Sequence, residues 1–369
     1  MPALTALKRE WTLAVVYATA LLFFVFGKDW LADLSNTTWF LLMFVWLFCV
    51  IVASAGAIVR HAEGLAELVG EPFGTLILTL SVIAIEVLMI SAVMLTGKGS
   101  PVLARDTMFA VVMIVLNGMV GLCLLVGGLR HHEQTYNLQG AVSYLAVIIP
   151  LAVISLVLPN FTQATAGPTL STAQAIFLGV ASLVMYGVFL GIQTARHRDY
   201  FVHDGRPLDA GAAVSASPNG SRAGHACLLL AYLVPLVLLA KQIAIPIDYA
   251  IHVVGAPVAL SGFLVASLVL LPEVVAAARA AAGNQLQRSV NIALGSVLAS
   301  ISLTIPAVLA IGAWTGNTIV LGLDAVSMVM LVLTLAVSVL TFASTRTNVL
   351  LGVVHLLLFV TYLLLIFES

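Results

Sequence analysis

Eleven apolar stretches, each close to the length of a bilayer-spanning helix, succeed one another along this 369-residue chain. A helix needs about 20 apolar residues to cross the hydrocarbon core, because each residue adds only about 1.5 Å of rise. The stretches cover roughly 11–27, 37–59, 73–95, 106–128, 142–159, 171–194, 225–246, 255–279, 290–314, 322–342 and 348–367. Hydrophobic residues make up 62% of the chain and charged residues 8%, where a soluble domain carries about 25% charge. No core in water holds that much apolar surface, so the solvent is lipid. The pattern predicts an all-α integral membrane protein with about eleven transmembrane helices.

Polar residues divide the chain. The longest polar stretch, 195–224, is rich in Gly, Ala, Ser and charge and lacks apolar periodicity; it reads as a mobile cytoplasmic linker. Residues 1–36 then hold the N-terminus and one extra helix, 37–194 a first half of five helices, and 225–369 a second half of five. Lys8 and Arg9 precede the first apolar run without a convincing small-residue cleavage site, which reads as a retained helix and not a cleaved signal. Counted over the N-terminus and every second loop, Lys and Arg number eleven, against four on the opposite side. Positive residues favour the cytoplasm, so the N-terminus and linker are expected inside and the C-terminus outside.

Net charge is −1, which leaves no basic footprint for nucleic acid. Cys49, Cys123 and Cys227 lie inside apolar runs, with no metal or disulfide spacing, and no cofactor is expected. The expected partners are the lipid bilayer, cations and protons; nothing in the sequence fixes an oligomeric state.

A repeat runs through the two halves. "GTLILTLSVIAIEV" (74–87) resembles "GFLVASLVLLPEV" (262–274), and "RDTMFAVVMIVLNG" (105–118) resembles "RSVNIALGSVLASI" (288–301). Arg105 then matches Arg288, and Asn117 matches Ser300. The copies centre on about 73–128 and 255–314. Five helices separate equivalent positions, so the copies must point in opposite directions. Two inverted-topology five-helix repeats plus one N-terminal helix is a transporter architecture with its site near the midplane.

Of the sixteen acidic residues, only Glu86 and Glu273 fall deep inside apolar runs. A charged acid at a helix centre costs roughly 3 kcal/mol on insertion scales. Both carry a functional expectation for that reason, and they occupy matching repeat positions. Thr75, Thr79 and Glu86 lie on one stripe of the third helix at 100° per residue; the hydroxyls are cation ligands, proton-network members or helix–helix contacts. Pro272 before Glu273 removes an amide donor and frees a carbonyl one turn back, toward a cation or simply as a packing kink. Asn117, and a stripe of Ser296, Ser300 and Thr304, are candidate second-helix ligands. Oxygen ligands suit Ca2+ above all, or Na+. Two carboxylates are neutralised equally by one Ca2+ or by two protons, so the empty, charged state is the one that should not cross. Glu63, Glu67 and Glu71, spaced four apart, share a face that is either a cytoplasmic cation entrance or a solvated surface. His355 reads as a hydrogen-bonded packing residue or a proton relay.

"GEPFGTLILTLSVIAIEV", "ARDTMFAVVMIVLNG", "GSVLASISLTIPAV" and "TRTNVLLGVVHLLLF" resemble bacterial Ca2+/H+ antiporters of the calcium/cation antiporter superfamily, from about Arg60 to Phe367. The resemblance implies a multi-pass exchanger of the bacterial inner membrane, with one acidic residue in each repeat that binds the cation and carries protons; those positions match Glu86 and Glu273. It implies exchange of cytoplasmic Ca2+ for protons, with Na+/H+ or K+/H+ exchange as the alternative. The wider superfamily often has Gly-Asn-x-x-Glu around the acid, whereas Val82 to Ile85 precede Glu86 and Val269 to Pro272 precede Glu273. An enzyme embedded in the membrane is the remote alternative. It would need a nucleophile with a positioned base or clustered metal ligands, and neither is present.

Overall fold

The computed structural model describes residues 10–70, 73–96, 101–201 and 221–368. These residues form eleven long helices: α1 (Trp11–Trp30), α2 (Thr37–Val69), α3 (Phe73–Thr96), α4 (Leu103–His131), α5 (Leu138–Leu156), α6 (Thr172–Gly191), α7 (Arg222–His252), α8 (Ala259–Ala282), α9 (Leu286–Thr315), α10 (Ala325–Thr341) and α11 (Val349–Glu368). Ten are long and apolar enough to cross a bilayer, and α10 is a shorter apolar helix. The expected all-α membrane architecture is therefore the observed one.

Boundaries moved where polar residues continue a helix. α2 runs to Val69, well past the expected end near 59, and stops at Gly70 in a left-handed conformation (φ 80°). Its last turns carry Glu63 and Glu67. α7 passes through Pro235 and Pro246 without ending, since neighbouring groups in a membrane bundle re-satisfy the carbonyl that a proline frees. The expected linker begins late: a π-turn continues α6 through Ile192–Arg196, and a short helix Arg198–Phe201 buries Phe201. Caps start the other helices where the sequence offers them. Asn36 accepts from the Thr38 and Trp39 amides, Ser171 and Gln174 form a capping box, and Asp324 caps α10 through the Ser327 amide. Burial pushes the Asp324 carboxyl up, but the hydrogen bonds from Ser327 together with the Arg105 charge hold it below the usual range.

The helices sort into two compact units. The first takes α1, α2, α3 and α7; the second takes α4, α5, α6 and α8–α11. In the first, α2 packs on α7 and α3 around Leu47, Ile51, Ile58, Leu239 and Ile243. At one end Phe23, Trp30, Trp39 and Trp46 form an aromatic cluster, the amphipathic composition favoured at a membrane interface. At the other end one carboxylate oxygen of Glu10 meets Arg60 at 3.0 Å, His61 at 3.3 Å and the Tyr232 hydroxyl at 2.9 Å.

In the second unit the loops alternate between two ends. At one, Gln134 donates to the Ala281 carbonyl (3.0 Å) and Asn291 to the Phe201 carbonyl (2.8 Å), beside a two-residue antiparallel pairing of β1 (Gln134–Thr135) with β2 (Arg346–Thr347). At the other, Asn160 donates to the Leu323 carbonyl (2.9 Å) and Arg105 to the Gly322 carbonyl (3.2 Å). α4 thus begins at the Gly322 end and α9 at the Gln134 end. These two helices carry the matched Arg105 and Arg288, and they run in opposite directions.

The glycines heading the repeated motif have a packing reason. A Cβ on Gly262 would lie 2.5 Å from the Asp106 carbonyl carbon, and one on Gly74 2.6 Å from the Ala66 carbonyl oxygen. In both copies the helix crosses a neighbouring backbone at that point.

Candidate functional site

Glu86 lies in the middle of α3 and is 2% exposed, among Ile83, Ile85, Met89 and Ile90. Thr75 and Thr79 sit half-buried on the same helix. Ser81 and Ser91 return their hydroxyls to the carbonyls of Ile77 and Val87 in their own helix. Glu63 is half-buried and Glu67 exposed on the last turns of α2; Glu71 lies outside the described residues. The described residues among these belong to the first unit.

Glu273 belongs to the second unit, on α8, where Pro272 sits inside the helix without ending it. It is half-buried, with one carboxylate oxygen enclosed. Apolar length places a residue along the helix axis, but how far neighbours cover it depends on packing around that axis.

Asn117 and Ser300 occupy equivalent breaks in two helices. α4 widens into a π-turn over Met113–Met119, and α9 into another over Ser300–Thr304. Such turns occur often at functional sites. The two breaks overlap in the register that matches Arg105 with Arg288. Nothing in the local sequence announces them. The α4 turn packs against α8, α9, α10 and α11, and the α9 turn against α6.

The polar groups in the two turns are satisfied differently. Asn117 is fully buried, and its amide nitrogen donates to the Thr334 hydroxyl at 2.8 Å. Its carbonyl oxygen faces His355 Nδ1 at 3.2 Å, and His355 Nε2 faces the Thr341 hydroxyl at 2.9 Å. Thr334, Thr341 and His355 are all buried. By contrast Ser296, Ser302 and Thr304 bury hydroxyls that have no hydrogen-bond partner among the described residues. Ser300, between them, is buried as well.

Asp106 adds a buried carboxylate that lies near the start of α4. Arg105 Nε contacts it at 2.8 Å, so it has a charge partner from its own chain neighbour. Among the described residues no cluster of His, Cys, Asp and Glu has the make-up of a metal-holding group. Spacing along the chain makes Asn117 a candidate second-helix ligand and leaves Thr334 and Thr341 unmarked. A threonine in an apolar helix carries no sign of whether it faces a partner, its own backbone or lipid.

Residues 39–195 and 225–368 match the sodium/calcium exchanger protein family. The chain is 46% identical over 310 residues to the "putative ionic transporter y4hA" of Sinorhizobium fredii (strain NBRC 101917 / NGR234), covering 84% of each chain. It is 43% identical over 319 residues to the "sodium-potassium/proton antiporter ChaA" of Escherichia coli (strain K12), covering 86% of each. Among solved structures it is similar to native YfkE, with a TM-score of 0.74 at 18% identity, covering 97% of this chain and all of that one. It is also similar to the H+/Ca2+ exchanger CAX, with a TM-score of 0.69 at 14% identity, covering 97% of this chain and 88% of that one. The breaks in the family match fall at the N-terminus and in the polar stretch between α6 and α7. This chain belongs to the sodium/calcium exchanger family: it is a multi-pass membrane cation exchanger and not an enzyme.

Proposed function

We propose that the chain is a proton-coupled cation antiporter of the bacterial inner membrane, exchanging cytoplasmic Ca2+ for protons by alternating access. The observation that carries this reading is Glu86: a carboxylate 2% exposed at the centre of a 24-residue apolar helix. A permanently charged group is costly there, and a group neutralised in turn by a cation and by a proton is not. Glu273, at the matching repeat position, supplies the second carboxylate. The repeats span 37–194 and 225–369, and the described part of the fold supports their inversion through α4 and α9. Ser296, Ser300 and Asn117 in the second unit, with Thr75 and Thr79 in the first, are the further oxygen ligands proposed. Glu63, Glu67 and Glu71 gather cations at the cytoplasmic mouth. The N-terminus lies inside and the C-terminus outside.

A second reading, with Na+ and K+ as the main cargo, is favoured by the relative at 43% identity, whose name is sodium-potassium/proton antiporter. Val82 and Ile83 also stand where the wider superfamily often supplies Gly and Asn, which leaves fewer oxygen ligands than a dehydrated Ca2+ takes, about six to eight.

One experiment tests both. In everted vesicles a proton gradient is established, and Ca2+, Na+ or K+ is added. The antiporter reading expects at least one cation to dissipate the gradient, and expects Glu86→Gln and Glu273→Gln each to abolish that dissipation while the protein still inserts. Normal dissipation in both variants would sink the reading. A response to Ca2+ at lower concentration than to Na+ or K+ selects the first cargo, and the reverse order selects the second.

A further inference from the structure

The α4 π-turn ends in a hydrogen-bonded chain of buried side chains. Asn117 Nδ2 donates to Thr334 Oγ1, so Oδ1 is the atom turned to His355. A carbonyl oxygen only accepts, so His355 Nδ1 carries the hydrogen in that 3.2 Å contact. Nε2 of the neutral ring then accepts from the Thr341 hydroxyl at 2.9 Å. The Thr334 hydroxyl, having accepted from Asn117, faces the Met113 sulfur at 3.6 Å. In this arrangement the His355 ring and the Thr334 hydroxyl hold the two ends of the Asn117 amide.

The helices that bring these groups together pack at close range. A Cβ on Gly352 would lie 2.6 Å from the Leu125 amide nitrogen, so α11 crosses α4 at close range. One turn along α11 from that crossing comes His355, and about two turns back along α4 from Leu125 comes Asn117. All four side chains of the chain are buried, where an exposed amide would instead rotate among water partners.

A carbonyl oxygen has two lone pairs, and His355 occupies one. The geometry points to His355 as a positioning residue: it orients the Asn117 carbonyl so that its second lone pair is presented in a single direction to a cation bound at the α4 turn. This rests on the antiporter reading, and it adds a residue outside the proposed ligands that sets cation affinity. Partners of this kind hold a ligand's orientation and tune its affinity in other metal sites.

Two substitutions separate the two ring nitrogens. An asparagine amide can replace Nδ1 as the donor, and a glutamine amide reaches out like Nε2. His355→Gln is expected to raise the apparent KM for the transported cation by roughly tenfold or more while kcat stays within about twofold. His355→Asn should bring KM back to within about threefold of the unsubstituted protein, on the scale of one weakened hydrogen bond. Both are assayed with Ca2+ and with Na+ in everted vesicles, and folding is checked by thermal unfolding of the purified full-length protein. Thr334→Val, which releases the other end of the amide, should raise KM in the same direction and serves if His355→Gln fails to fold. Unchanged KM in the folded variants, a loss confined to kcat, or equal KM in His355→Gln and His355→Asn would each overturn the assignment. Glu86→Gln and Glu273→Gln run beside them. If these two keep exchange, the antiporter reading fails; if they abolish it while His355→Gln behaves like the parent, only the positioning role fails.

Discussion

The two π-turns occupy matching places in related helices and have opposite polar economies. In α4, Asn117 has its amide held at both ends by side chains from α10 and α11. In α9, Ser296, Ser302 and Thr304 keep buried hydroxyls with no partner among the described residues. A buried amide left unpaired is costly, and it needs several partners at once; a hydroxyl needs fewer and can rotate to find them. The sequence difference, Asn at one position and Ser at its match, thus goes with a difference in surroundings. One turn is braced through its amide, and in the other Ser302 and Thr304 have oxygen lone pairs to offer. In a cation exchanger, the second is the more adaptable half.

Asn117→Ala should break the braced turn most severely. It strands the Thr334 hydroxyl and His355 Nδ1 in a buried place, so about 2–4 kcal/mol of stability should be lost for two orphaned groups. Thermal unfolding in detergent reads this directly, and a midpoint unchanged from the parent would contradict the brace. Asn117→Ser makes the α4 turn chemically like its counterpart, and a smaller loss of about 1–3 kcal/mol is expected because a hydroxyl can serve only one of the two partners well.

The α9 turn should respond in the opposite way. Thr304→Val and Ser302→Ala remove hydroxyls that make no hydrogen bond among the described residues, so stability should hold within about 1 kcal/mol or improve slightly. If these oxygens meet a cation, transport affinity should fall even so, and the vesicle assay across cation concentrations separates the two effects. A large stability loss without a change in KM would show that the hydroxyls serve packing, and the contrast between the turns would lose its meaning. The smallest effect belongs to the exposed Arg346–Glu133 pair beside the two-residue strands, at 3.3 Å. Glu133→Gln should shift stability by no more than about 1 kcal/mol, since surface pairs contribute little. A larger shift in the same unfolding assay would mean that the strand pairing at that end bears on the unit as a whole.

Much of the architecture was legible before any coordinates. Apolar length gave eleven helices because a helix in lipid must satisfy its own backbone and must span a fixed thickness. α2 and α7 overran their expected ends because polar residues and prolines are weak stop signals once a helix has neighbours. Glu86 stood out because an acid in an apolar run is rare for a strong energetic reason, and the structure buries it. Glu273 is half-buried, and that degree of enclosure is set by the helices around it.

By itself the sequence determined the solvent, the number of spans, the internal repeat and the two carboxylates, because each depends on composition or on spacing along one helix. Only the tertiary structure decided that α4 and α9 break into π-turns, that Asn117 meets Thr334 and His355, and that Ser296, Ser302 and Thr304 of α9 bury hydroxyls with no hydrogen-bond partner among the described residues. Those outcomes join residues more than two hundred positions apart, from Asn117 to Thr334 and His355. Spacing along the chain carries no information about which faces of distant helices will meet.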